Sequence, residues 1–174
     1  AVCFLGLSAC AEITLTIPYT PTTTQEIGGS IGVNDFSYFP KDNVQQNEIR
    51  ETAAARILLT EPVGLYYANA VRREFRQAGI SLKGKNCKLD GEVNDFAMDS
   101  LGYSTDYITD IRYILRDGND RVLLDNNYQV KFNTSKFVVA QVIFNNLNKA
   151  VSDNIAQLLS DPFFAQTVTK SCKV

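Results

Sequence analysis

The chain has 174 residues and contains no histidine, no tryptophan and a single methionine. Histidine is the usual general base near neutral pH and the commonest ligand of transition metals. Its absence lowers the expectation of catalysis, and we predict no enzyme activity, no cofactor and no bound metal. The net charge of -2 provides no field that would attract nucleic acid phosphates, so we expect no nucleic acid partner.

The first ten residues form a short apolar run, Ala-Val-Cys-Phe-Leu-Gly-Leu-Ser-Ala-Cys. This run is too short to cross a bilayer, and small residues precede its final cysteine. It is typical of the apolar part of a signal peptide, without an initial Met or a basic segment. We interpret residues 1–10 as a partial signal peptide.

The end of that run, Leu7-Ser8-Ala9-Cys10, resembles the lipobox of bacterial lipoproteins. The resemblance implies that Cys10 becomes the first residue of the mature protein and carries fatty acids such as palmitate. Several acyl chains, at about 0.8 kcal/mol per buried methylene, would hold the protein stably on a membrane. Ala11, rather than Asp, favours the outer membrane in the enterobacterial sorting pattern. The alternative is a buried amino-terminal strand or helix in which the pattern occurs by chance.

The lipobox resemblance also bears on the remaining cysteines. Processing would remove Cys3 and acylate Cys10, which leaves Cys87 and Cys172 as disulfide partners in an oxidising compartment. Two unrelated thiols are the alternative. Neither residue has a second cysteine or a histidine at close spacing, so a metal site is not expected.

Residues 11–30 are rich in Thr, Pro and Gly, a composition that favours extended structure. We interpret them as a tether, although residues 13–17 alternate like a strand. Residues 31–174 are predicted to form one α+β domain. Its first strand is expected at 31–38, followed by an irregular connection with a little helix at 41–55 and a short strand at 57–59.

Two long helices and three further strands are predicted from the apolar repeats. Thr60-Glu61-Pro62 is a helix-start signal, and Gly79 ends that helix. Alternating residues indicate an antiparallel meander, with a change of phase at Phe96 that suggests a bulge. The three strands are expected at 88–102, 107–115 and 122–132.

The last long helix is expected to be capped by Thr134 or Ser135 and to end before Asp161-Pro162, with a short helix after it. Its apolar stripe is broad between Phe137 and Phe144, which suggests an exposed patch for a partner or an acyl chain. The predicted fold is therefore an antiparallel sheet of about four strands with two long helices packed on one face.

This order of elements behind a lipobox resembles the YajG-type lipoproteins and, more distantly, the auxiliary lipoproteins of ABC-type transport systems and the fold of LptE. The fragments that carry the resemblance are Leu7-Ser8-Ala9-Cys10, Ile31-Gly32-Val33-Asn34-Asp35, Phe75-Arg76-Gln77-Ala78-Gly79, and Asp153-Asn154-Ile155-Ala156-Gln157-Leu158-Leu159 followed by Asp161-Pro162-Phe163. The resemblance implies a lipid-anchored, non-catalytic accessory or scaffolding protein on the outer membrane, facing the periplasm, with an envelope protein as partner. The alternative is a lipid-binding auxiliary subunit of an ABC-type transport system, with an apolar groove between helices and sheet. The resemblance offers no catalytic residues.

The charged residues suggest two weaker alternatives. A carboxylate hydrolase would need two facing acids from the set Asp90, Glu92, Asp95, Asp99, Asp106 and Asp110, which we instead expect on a solvated sheet face. The turn at Asp117, Asn119 and Asp120 lacks the later ligands of a calcium loop. Three arginines could contact an anion or a partner, although they also suit the wet face of a helix: Arg72, Arg73 and Arg76.

Overall fold

The computed structural model describes residues 12–41, 43–53 and 56–172. Its strands are β1 (Glu12–Leu15), β2 (Gly32–Val33), β3 (Ser37–Tyr38), β4 (Glu48–Glu51), β5 (Arg56–Leu59), β6 (Cys87–Asp99), β7 (Ser104–Asp117) and β8 (Val122–Ser135). Its helices are α1 (Val63–Gln77), α2 (Ala140–Ser160) and α3 (Pro162–Lys170). In the described parts of the chain, no helix combines the length and the apolar character needed to cross a bilayer.

The three long strands β6, β7 and β8 form the predicted antiparallel meander. Alternate residues of β7 are buried, because one face of this strand lies under the helices: Tyr107, Thr109, Ile111, Tyr113 and Leu115. The pairing of β6 with β7 shifts between Val93 and Asp95, which confirms the predicted bulge. The shift returns Phe96 and Met98 to the buried face.

The prediction of an antiparallel sheet of about four strands was wrong, because the sheet is mixed and contains eight strands. β2, β3 and β4 pair one after another, all parallel, with the edge of β6 that faces away from β7. β5 is antiparallel to β4, and β1 is parallel to β5. Segments of two to four residues carry no readable repeat. Their backbone groups find partners only because β6, with 13 residues, offers a long free edge.

Two further predicted segments differ from the structure in detail. The strand expected at 31–38 is divided into β2 and β3, because the chain leaves the sheet to bury Phe36 above Gly91. A Cβ added to Gly91 would lie 2.2 Å from the Phe36 ring, so that ring occupies the space of a side chain. Within 43–53, the segment expected to be irregular with a little helix instead contains β4 and no helix.

The helices cover one face of the sheet. α1 begins after Pro62, as predicted. α3 begins at Pro162 and is capped by Asp161, whose carboxylate accepts a hydrogen bond from the Phe163 amide at 2.8 Å. The helix cap predicted at Thr134 or Ser135 was wrong. β8 continues through Ser135 in register with β7, so these residues keep sheet hydrogen bonds and α2 starts only at Ala140.

The packing of α1 against the segment between β2 and β3 depends on Gly64, and we predict a large effect of Gly64→Ala. A Cβ at this position would lie 2.1 Å from the Phe36 carbonyl oxygen, which belongs to the backbone and has little freedom to move. Alanine normally favours a helix over glycine by about 1 kcal/mol. Here we expect the opposite sign, a loss of about 2 to 3 kcal/mol from overpacking, measured by urea unfolding.

Gly118→Ala is the matched control. Its Cβ would meet only the Asn86 carbonyl oxygen at 3.7 Å, an ordinary contact, and its stability should stay within about 0.5 kcal/mol of the wild type. A Gly64→Ala protein as stable as the wild type would show that α1 does not approach the Phe36 backbone so closely.

Candidate attachment site at the amino-terminal end

The described chain enters the fold at Glu12, and Ala11 alone separates Glu12 from Cys10. Cys3 and Cys10 lie outside the described residues, as does the predicted signal segment 1–10. Glu12 opens β1 in register with Arg56 of β5. The Arg56 guanidinium lies 3.7 Å from the Glu12 carboxylate and 2.6 Å from that of Glu48. Its hydrogen bond to Glu48 holds the pKa of that carboxyl below its usual value.

Residues 16–30, here called the strap, follow β1 and lie against α1 and α2. They belong to the segment interpreted from composition as a tether. Ile17, Tyr19 and Thr23 are buried in this packing. Ile17 and Tyr19 join the hydrophobic core, and hydrogen bonds to the helices hold the polar residues of the strap.

The central strap contact is the carboxylate of Glu74 on α1, which is 1% exposed. It accepts hydrogen bonds from the Tyr19 hydroxyl at 2.5 Å, the Thr22 amide at 2.9 Å and the Thr23 amide at 2.9 Å. Burial, reinforced by the hydrogen bond to Glu74, raises the pKa of Tyr19 well above its ordinary value. Three donors thus satisfy a buried charge that would otherwise be very costly.

Neighbouring side chains hold the strap at further points. The Arg73 guanidinium donates to the Tyr19 carbonyl oxygen at 2.6 Å, and the Gln77 amide donates to the Thr23 carbonyl oxygen at 2.6 Å. Asn148 of α2 binds both backbone groups of Thr20, at 2.8 Å and 3.1 Å. The strap is therefore attached to both long helices.

A surface groove of about 760 Å³ runs between the strap and α2. Most of its lining side chains are polar: Thr16, Thr20, Thr22, Gln141, Asn145, Asn148, Lys149, Ser152 and Asp153. Phe144 and Pro18 supply the apolar part. The groove is therefore bordered by polar side chains from both the strap and α2.

The layer between the helices and the sheet is filled with side chains. Ile111, Leu115, Val151 and Ile155 are fully buried there, and the Tyr113 hydroxyl donates to the Asn154 side chain at 2.8 Å. Between α2 and β7, these side chains occupy the space in which the transport-subunit alternative predicts an apolar groove.

The three arginines suggested as an anion or partner site lie on α1, but two of them bind the chain itself. Arg72 donates to the Val33 carbonyl oxygen at 3.0 Å and to the Asp35 carboxylate at 2.7 Å. Arg73 binds the strap, as described above. Arg76 is exposed, and contact of this residue with an anion or a partner stays a prediction.

The six carboxylates considered for a hydrolase lie on the face of the sheet opposite the helices, and each has a partner. Four form ion pairs: Asp90 with Arg116, Glu92 with Arg112, Asp95 with Arg50, and Asp106 with Lys131. Asp99 accepts a hydrogen bond from Thr52, and Asp110 accepts one from Gln129. Cross-strand pairing of this kind stabilises a sheet surface, whereas a glycosidase needs two acids facing each other across a cleft.

The turn between β7 and β8 is stabilised from within. One oxygen of the Asp117 carboxylate accepts hydrogen bonds from the Asn119 amide at 2.9 Å and the Arg121 amide at 3.0 Å. These bonds lower the pKa of Asp117. Over the described ranges, no group of three or more potential ligands is placed to hold a metal ion.

At the opposite end of the fold from this turn, four large apolar side chains are exposed to solvent. Leu101 and Tyr103 lie in the turn between β6 and β7, and Phe137 and Val139 lie between β8 and α2. We call these four residues the apolar tip. Sequence reasoning noted an apolar excess from Phe137 onward but placed it on a helix, and it missed Leu101 and Tyr103 because a turn carries no apolar repeat.

The Cys87–Cys172 disulfide is present and ties the end of α3 to the start of β6. Both cysteines are fully buried. The bond therefore lies inside the domain, at the end of the sheet away from the apolar tip.

The sequence matches no protein-family model and no curated protein. The fold, a mixed sheet covered on one face by helices, has counterparts among solved structures. Protein XCC0632 from Xanthomonas campestris, described under the family-model DUF330, is similar with a TM-score of 0.67 and 14% identity, over 90% of this chain and 97% of that one. A PelC dodecamer subunit from Paraburkholderia phytofirmans is similar with a TM-score of 0.51 and 13% identity, over 87% and 95% of the two chains. These likenesses concern the fold, and the resemblance to YajG-type proteins and LptE stays a prediction.

Proposed function

We propose that this protein is a bacterial envelope lipoprotein, anchored through lipid on Cys10 and acting as a non-catalytic accessory or scaffolding component of an envelope complex. The absence of histidine from the sequence and the lack of a catalytic motif in it support a non-catalytic role. Ala11 after the cysteine favours the outer membrane, with the domain facing the periplasm. The expected partners are a membrane lipid surface and an envelope protein.

The observation that carries the proposal is the position of Cys10 relative to the folded unit. Leu7-Ser8-Ala9-Cys10 ends immediately before the first strand, because β1 begins at Glu12. A lipid on Cys10 would therefore leave β1 and the strap intact. The internal Cys87–Cys172 disulfide supports an oxidising compartment such as the periplasm.

The alternative function, a lipid-binding auxiliary subunit of an ABC-type transport system, has less support. Its expected lipid site was the layer between helices and sheet, where the described side chains fill the space. A role in lipid transport would then have to use the surface of the domain.

Metabolic labelling tests the anchor. Bacteria expressing the protein with its complete signal are given an alkyne fatty acid, and the purified protein is examined for label and for retention in the membrane fraction. We expect Cys10→Ala to lose at least nine-tenths of the label and to leave the membrane fraction. Several acyl chains bind a bilayer almost irreversibly, whereas an unmodified soluble domain does not.

Cys3→Ala is the matched control, since Cys3 lies in the segment that processing would remove. It should keep both the label and the membrane retention of the wild type. Unchanged membrane retention of Cys10→Ala, with no label on either protein, would rule out lipid anchoring at this residue.

A further inference from the structure

The apolar tip is unusually exposed for side chains of its size. Leu101 is 67% exposed, Tyr103 94%, Phe137 85% and Val139 70%. All four lie at one end of the sheet, because the turn from β6 to β7 and the end of β8 are brought together by the pairing of Ser104 with Ser135. Exposed apolar groups concentrated in this way mark a surface that binds something.

The tip is held in position by the loops around it. The Lys136 ammonium donates to the Ser100 carbonyl oxygen at 2.5 Å, which joins the two segments that carry the tip residues. Thr52 fastens the same turn from the side of β4, because its hydroxyl oxygen accepts from the Ser100 amide and its hydroxyl donates to Asp99. These hydrogen bonds therefore hold in place the two segments that carry the four apolar side chains.

The described chain enters the fold at this same end of the sheet. Glu12 pairs with Arg56 of β5, Ile57 of β5 pairs with Ile49 of β4, and Arg50 of β4 pairs with Ala97 of β6, three residues before Ser100. β1 therefore begins on the tip side of the sheet and runs away from it. Only Ala11 separates Cys10 from Glu12 in the sequence, and one residue spans at most about 3.6 Å.

The chemistry of the exposed tip side chains suits a lipid surface. Residues 100–104 and 135–142 contain one charged side chain, Lys136, whose ammonium is bound to the Ser100 carbonyl oxygen. The carboxylates of Asp99 and Glu51 adjoin the tip and accept hydrogen bonds from the Leu101 amide and the Ser100 hydroxyl. Tyr103 is the most exposed of the four tip residues, and tyrosine favours the interface between headgroups and acyl chains.

We propose that the apolar tip inserts into the interfacial region of the same membrane that holds Cys10, so that lipid and tip form a two-point attachment. This inference rests on the proposed anchoring at Cys10. With two attachments, the long strands β6, β7 and β8 would point away from the membrane. The turn between β7 and β8, at their far end, would then face the periplasm. A single flexible anchor would leave the domain free to rotate.

Brominated lipids provide a direct test, because the chain has no tryptophan and a single introduced indole reports on its own surroundings. The mature chain starting at Cys10 is coupled through this thiol to a maleimide lipid in vesicles of phosphatidylethanolamine and phosphatidylglycerol. Cys87 and Cys172 are bonded to each other and do not compete. In the Y103W variant, we expect brominated acyl chains to quench at least half of the fluorescence and the emission to be blue-shifted relative to the protein without vesicles.

F163W is the matched control. Phe163 is 55% exposed but lies at the far end of α2, a helix of 21 residues that spans about 30 Å. Its indole should show less than one-tenth quenching. Adding L101S and F137S to Y103W should reduce the quenching at least threefold, while circular dichroism shows whether the variant is folded.

The alternatives give different results. If the Y103W indole becomes shielded as the protein concentration rises without lipid, and brominated lipid does not quench it, a second copy covers the tip. That result would overturn the inference. An indole that stays exposed and unquenched on the vesicle would overturn it as well, leaving the tip for a protein partner. Because the maleimide link replaces the natural lipid, failure of acylation in cells would contradict the proposed function and leave the quenching result unaffected.

Discussion

Removing the Cys87–Cys172 disulfide is expected to lower the free energy of unfolding by about 4 to 5 kcal/mol, the chain-entropy value for a closed loop of this size. The bond joins residues separated by 85 positions and encloses β6, β7, β8, α2 and α3. Without it, the unfolded chain regains the freedom of that whole segment. The measurement is urea unfolding of the C87A/C172A protein beside the wild type, and a second comparison uses the wild type with and without reductant.

Cys10→Ala serves as the control, since it removes a cysteine, leaves the Cys87–Cys172 bond intact and should not shift the midpoint. The reduced wild type and the double variant should agree to within about 1 kcal/mol, because replacing two buried thiols with methyl groups leaves only small cavities. An unchanged midpoint in both comparisons would mean that the two cysteines are not joined in the folded protein.

Glu74→Ala is expected to cost about 3 kcal/mol, because a buried donor left without a partner costs about 1 to 3 kcal/mol, the Tyr19 and Thr23 donors are buried, and detachment of the strap allows partial hydration. The three donors are the Tyr19 hydroxyl and the amides of Thr22 and Thr23. Amide hydrogen exchange gives the specific readout. Protection of Thr22 and Thr23 should fall at least tenfold in Glu74→Ala, while amides in the centre of β7 change only with global stability.

Arg76→Ala is the matched control on the same helix, since Arg76 is exposed and its loss should change stability by less than about 0.5 kcal/mol. Glu74→Gln tests the charge itself. It keeps the shape and one acceptor but turns an amide nitrogen toward a donor, so its stability should lie between those of Glu74→Ala and the wild type. Wild-type protection of Thr22 and Thr23 in Glu74→Ala would show that Glu74 does not hold the strap.

The strap and the tip bear on the same property, the orientation of the domain. Glu74 and Asn148 fasten the residues that follow β1, so the chain between Cys10 and the helices has little slack. In a lipid-anchored protein, such a short connection transmits the position of the anchor to the sheet. The same lipobox followed by a free linker would locate the protein but would not orient it.

Long elements were predictable because they contain a repeat that one face of the fold requires. In β7, Tyr107, Ile111 and Leu115 alternate with polar residues, and this pattern has one explanation, a strand with one buried face. α1 and α3 were predictable from proline and acidic residues at their starts. The phase change at Phe96 revealed the bulge, because a strand must turn its apolar residues back to the core.

The short strands and the start of α2 were not predictable in the same way. Ser135 has a side chain suited to a helix cap, yet it belongs to β8 because Ser104 lies opposite it. Thr- and Pro-rich residues look like a tether until the buried Glu74 supplies the acceptors for their amides. In both cases the deciding partner is distant in sequence.

By itself, the sequence determined the antiparallel meander, the two long helices, the candidate lipid site at Cys10 and the pairing of Cys87 with Cys172 as an expectation. These follow from local patterns and from the number of cysteines. The tertiary structure alone decided that five short strands complete a mixed sheet, that the strap lies on the helices, and that Leu101, Tyr103, Phe137 and Val139 are exposed at the end of the sheet where β1 begins. The physical reason is that a short segment has no preference strong enough to be read locally, and it takes its structure from the hydrogen bonds and contacts that distant residues offer.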